Sequence, residues 1–142
     1  MIPQRKLKVI FDRGYQIPIQ QCIVDPGIAP IGTDTNGALE RVLESMALIH
    51  ADTNMAGIHM SVGLSNFTVM LPSKRADGSP VKSALESAFL TKAMPLDLDM
   101  VAGSVIRNYQ ILSPGHPALV CLEDCLHLDG IEVISRIREF YS

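Results

Sequence analysis

The chain has 142 residues, about one ordinary domain, and 47% hydrophobic against 19% charged residues gives it the material for a buried core, unlike a disordered segment. Its net charge of -3 excludes the basic field that nucleic acid requires. No apolar run approaches the ~18 residues of a membrane span, and the start, Met1 to Arg5, lacks a signal peptide's pattern, so a cytoplasmic protein with no membrane or nucleic-acid partner is expected.

The first predicted element is a helix over 4–13, closed by Gly14 at the C-terminal position that favours glycine. Cys22-Ile23-Val24 is a short strand-like run, and Asp25-Pro26-Gly27 signals a turn after it. From Gly37 to His50, Leu39, Val42, Leu43, Met46 and Ile49 recur at helical spacing. Asp34, Thr35 or Asn36 is the expected cap, with Glu40 in the first turn. Ile58 to Val62 reads as a second strand, followed by Gly63-Leu64-Ser65-Asn66. A second helix is expected from Pro80 to Met94, with Ser79 as N-cap, Pro80 first, and Val81, Ala84, Leu85, Ala88 and Phe89 inward. Leu98 to Ala102 is the third strand, and Pro117 to Tyr141 holds two helices broken near Asp129-Gly130.

Apolar strands alternating with amphipathic helices predict an α/β chain with a parallel sheet covered by helices. The architectures that remain are a doubly wound sheet and a TIM barrel; no G-x-G-x-x-G follows any strand. A TIM barrel takes eight units and ~250 residues. Three strands cannot close one, so the expectation over 1–142 is a single partial barrel domain with open edges. It is the C-terminal part of a longer protein, a chain completed by a second copy, or a remnant.

In parallel α/β folds ligands meet the C-terminal ends of the strands, which singles out Asp25, Gly63, Ser65 and Asn66. Asp25 is a carboxylate able to accept from the N–H groups of a heterocycle, or else a turn former. Gly63 permits close backbone approach, Ser65 adds a hydroxyl, and Asn66 both donates and accepts, unless it only bonds its own turn. Arg107, after the third strand, is a solvated arginine or a contact for an anionic ligand tail. His59 reads as a core histidine rather than a base, and His50, His116 and His127 as residues at helix ends or on helix surfaces. The methionines Met46, Met55, Met60, Met70, Met94 and Met100 read as core filler. Three cysteines, Cys121 and Cys125 four apart, argue for free thiols in a reducing compartment rather than disulfides, and no metal site is expected.

Taken together, Ile23-Val24-Asp25-Pro26 and Gly63-Leu64-Ser65-Asn66 resemble the pterin-binding methyltransferases: the methyltetrahydrofolate–corrinoid protein methyltransferases and the folate domain of cobalamin-dependent methionine synthase, relatives of dihydropteroate synthase. Ala88-Phe89-Leu90-Thr91-Lys92-Ala93-Met94 and Leu98-Asp99-Met100 extend the similarity. The resemblance implies the sixth to eighth strands of a TIM barrel with the pterin at its C-terminal mouth. It also implies methyl transfer from 5-methyltetrahydrofolate to a corrinoid (cobalamin) carried by a partner protein. Asp25 then matches the pterin-binding carboxylate and Asn66 the catalytic Asn near N5, beside Gly63 and Ser65. The chain departs from the family in three places. The earlier strands that bring another Asp and an Asn are missing, Val69 replaces a Gln found in some members, and Asp97 stands where a left-handed glycine is usual. A non-catalytic fragment or assembly domain is the alternative. Dihydropteroate synthase is a further one, though Ser65-Asn66-Phe67 lacks that enzyme's basic residues.

Overall fold

The three β-branched runs form β1 (Ile23–Val24), β2 (His59–Gly63) and β3 (Leu98–Ala102) in the computed structural model, which describes residues 17–142. The helix expected over 4–13 lies outside the described residues. All pairing is parallel in the order β1-β2-β3, with Ile23 opposite His59 and Met60 opposite Leu98. Consecutive order with helical crossovers is common to a barrel segment and to one half of a doubly wound sheet.

The connections carry α1 (Ala38–Ala51), the single turn α2 (Leu64–Phe67) and α3 (Lys82–Ala93), and β3 is followed by α4 (Pro117–Cys125) and α5 (Ile131–Tyr141). Helix α3 packs on α1 and α4, and α4 packs on α5, which reaches back to a 3-10 turn at Ile31–Thr33. Val24, Met60, Val62 and Leu98 point into this helical layer and join one core with Phe67, Leu85 and Phe89. On the opposite face of the sheet Ile23 is 57% and Met100 41% exposed. Among the described residues the helices pack on one face of the sheet.

Local chemistry explains the helix ends. The buried Asp34 carboxylate accepts from the backbone N–H groups of Asn36, Ala38 and Leu39 at 3.2, 2.9 and 2.9 Å, so the cap of α1 is Asp34 acting over Gly37, whose φ is 67°. Ser79 does not cap α3. Asp77 captures both its N–H and its hydroxyl, and a bridge between Lys74 and Pro80 keeps this stretch extended, so α3 begins at Lys82. His116 does act as an N-cap, its Nδ1 accepting from Ala118 N–H at 3.2 Å. Met46 and Met60 are core residues, whereas Met70, Met94 and Met100 are exposed. Asp97 has φ 65°, the left-handed conformation that glycine occupies in the resembling family.

Between Met60 and Ser61 the register against β3 slips, so that Leu98 faces Met60 but Met100 faces Ser61. Asp99 is the extra residue of this bulge. Its carboxylate fills the gap by accepting from Met60 N–H at 3.1 Å, and it lies 2.6 Å from Nδ1 of His59. His59 is therefore a half-exposed partner of Asp99 at the end of the sheet away from Asn66, not a core residue.

Candidate functional site

Parallel pairing brings the C-terminal ends of all three strands to one rim. Asp25 follows β1, and Ser65 and Asn66 sit in α2 directly after β2. The loop 103–112 follows β3. Asp25, Ser65 and Asn66 are exposed and Gly63 is half-buried, with open space where a β-carbon would stand. Asp25 forms an Asx turn, its Oδ1 accepting from Gly27 N–H at 2.8 Å. Asn66 does not bond its own turn. Its Nδ2 donates to the carbonyl of Ile28 at 2.9 Å, across to the loop three residues beyond Asp25. The two sequence motifs are thus joined by a direct hydrogen bond. The amide nitrogen keeps a second hydrogen and the carboxamide oxygen its acceptor capacity. The rim presents a carboxylate, a hydroxyl and a neutral amide on adjacent strand ends, a set suited to the polar edge of a heterocycle.

Next to these residues lies a buried polar cluster. Glu86 of α3 is 0% exposed, and its Oε1 accepts from Thr68 Oγ1 and from Arg107 Nη1. Its Oε2 is buried without a hydrogen-bond partner among the described residues. Thr68, also fully buried, lies two residues after Asn66. Arg107 is neither of the alternatives its position suggested: it forms an ion pair with Glu86, with its Nη1 also 3.2 Å from Thr68 Oγ1. The Tyr109 hydroxyl accepts from Ser104 N–H at 3.0 Å. Burial pushes that hydroxyl's pKa above the usual 10.0, and the nearby Glu86 carboxylate adds to the rise. Sequence reasoning passed over Glu86 and Thr68. The available signal was a single carboxylate inside the apolar stretch Ala84 to Leu90.

Two depressions flank the loop after β3. One of about 260 Å³ is bounded by Val101, Gly103, Val105 and Tyr109, and one of about 390 Å³ by Ser83, Ser87, Arg107 and His116. Neither includes Asp25 or Asn66, which stand on the open rim. Elsewhere, Cys121 and Cys125 are buried side by side in α4 and Cys22 is partly exposed. The hydrogen bond from Cys125 lowers the pKa of Cys121, and the same contact together with burial raises that of Cys125. Among the described residues there is no cluster of three or more metal-ligating side chains, and no helix is long and apolar enough to cross a membrane. No family model, curated protein or solved structure matches this chain.

Proposed function

We propose that this chain supplies one wall of a TIM-barrel pterin site for methyl transfer from 5-methyltetrahydrofolate to a corrinoid carried by a partner protein. The observation that carries the reading is the hydrogen bond from Asn66 to Ile28, which holds Asn66 and the Asp25 loop together on one rim. In this reading Asp25 accepts hydrogen bonds from the pterin's guanidine-like edge, a charge-assisted contact. Gly63 lets the ring approach the backbone and Ser65 adds a polar contact. Asn66 donates its free amide hydrogen toward N5. A neutral amide suits that place, because the N–CH3 bonding pair returns to N5 as the methyl departs, and a donated hydrogen bond that strengthens then lowers the barrier, the proton that N5 finally takes coming from water. The corrinoid, when bound, would supply the nucleophile that takes the methyl group.

Calorimetric titration of the full chain with methyltetrahydrofolate tests this. Asn66→Ala is expected to weaken binding about tenfold or more, the worth of one well-placed hydrogen bond. Unchanged affinity in that variant removes Asn66 from the site. A second reading, an assembly domain that keeps the motifs without the activity, is favoured by the apolar Ile23 and Met100 exposed on the sheet. It predicts a folded circular-dichroism spectrum and no binding heat at millimolar folate. Dihydropteroate synthase is disfavoured because Arg107 is engaged by Glu86 and Arg75 stacks on the ring of Phe140 at 4.5 Å.

A further inference from the structure

We infer that Glu86 and Arg107 are positioning residues that hold the Asn66 turn in place through Thr68. The inference rests on the pterin reading above for its functional consequence and on hydrogen-bond geometry for the rest.

The rim is built from three loops with little secondary structure of their own. Left alone, such segments open readily. Here they are tied in series. Asn66 holds the loop after β1 by its bond to Ile28. Thr68, two residues on, bonds to Glu86, and Glu86 holds Arg107 in the loop after β3. That last loop is fixed along its length to α3. Ser87 Oγ accepts from Gln110 N–H at 3.1 Å, and Thr91 Oγ1 accepts from Leu112 N–H at 2.9 Å. Tyr109 lies so close over Gly103 that a β-carbon there would stand 2.6 Å from its hydroxyl. Arg107 is therefore presented by an anchored loop rather than a free one.

A buried ion pair is a weak source of stability, since apolar residues of the same volume often serve as well or better. Glu86 is fully buried, so the pair carries the cost of desolvating its charge and is not optimised for stability. What it does supply is direction. The fork of Arg107 and the carboxylate of Glu86 both meet the Thr68 hydroxyl. This fixes the residue that follows the Asn66 turn, and with it the orientation of the amide.

The test uses the full chain labelled with 15N. The variant Glu86→Gln/Arg107→Met removes the ion pair without stranding a buried charge, and Arg107→Lys retains the charge if the double variant folds poorly. Amide exchange at 65–68 and the Asn66 side-chain resonances are read against α1 as an internal reference. The expected result is about tenfold faster exchange at 65–68 in the double variant with α1 unchanged. Arg107→Lys keeps the charge and loses the planar fork, so exchange at 65–68 is expected to rise about threefold, between the parent and the double variant. Unchanged exchange at 65–68, or equal acceleration throughout the chain, overturns the inference. A second arm measures methyltetrahydrofolate affinity. The double variant should weaken binding when Asn66 is present and add no further loss to Asn66→Ala, because it acts through that residue. An equal loss in both backgrounds overturns the positioning role. A parent chain that binds no folate refutes the pterin reading instead, and the exchange arm still decides whether the ion pair positions the turn.

Discussion

At Asp97 several small effects oppose one another. A non-glycine residue at φ 65° costs about 1 kcal/mol, and glycine there relieves the strain while adding freedom to the unfolded chain. Asp97 also lies 2.6 Å from Nδ1 of His50, an exposed pair worth no more than about 1 kcal/mol. Asp97→Gly is therefore expected to change stability by less than about 0.5 kcal/mol in urea unfolding, whereas Asp97→Val, β-branched and unable to pair, should cost about 2 kcal/mol. The second His–Asp pair gives a pH dependence. His59 holds the Asp99 carboxyl below its ordinary value of 3.8, with Met60 N–H contributing less. The folded state thus binds fewer protons at Asp99 than the unfolded state does. The associated stability is present above pH 3.8 and is lost as pH falls through the lower folded value. His59→Ala should move the Asp99 titration, followed by NMR, back toward 3.8 and flatten the acid limb of the stability curve. The left-handed position at Asp97 was expected only from the resemblance, in which a glycine is usual there, and nothing in the chain's own residues marks it. The fate of Arg107 was not legible in the sequence, since its partner lies 21 residues away on a helix whose apolar pattern hides it.

Among the described elements, periodicity located α1 and α3 to within two residues and the break between α4 and α5, strand composition located all three strands, and the single turn α2 was not anticipated. What spacing could not show was competition for caps. Ser79 has the right residue type for a cap, and Asp77 takes it first. The contact between α3 and the loop after β3 carries the clearest energetic prediction. Arg107→Met strands a buried carboxylate and should cost about 3 kcal/mol, while Glu86→Leu/Arg107→Met should return to within about 1 kcal/mol of the parent in denaturant titration. A second prediction concerns α4, where Cys121 and Cys125 are buried and Cys22 is not. Iodoacetamide should modify one thiol per native chain, at Cys22, with the other two reacting only after unfolding. Modification of Cys121 in the native state would show that α4 and α5 part readily.

Among the described residues the molecule is a sheet with its helices packed on one side and no strand beyond β1 or β3. Parallel sheets ordinarily have both faces covered. The other face and the edge of β1 carry the exposed Ile23, so the chain should self-associate at micromolar concentration in sedimentation velocity runs. Ile23→Lys should reduce that association with helicity unchanged. Failure of the substitution to shift the sedimentation coefficient would place the contact elsewhere. The number and direction of the strands were legible from alternation and spacing. The one-sided packing of the helices was not, because a strand buried on one side and a strand buried on two carry similar apolar residues. The bulge at Asp99 has a consequence for comparing this chain with others. Strand β3 is one residue longer than the stretch of β2 that it matches, so a related chain with a straight third strand would align with a gap at 99. An alignment forced through that position without the gap would shift Met100 to Ala102 by one place against β2, and with them which side chains reach the rim.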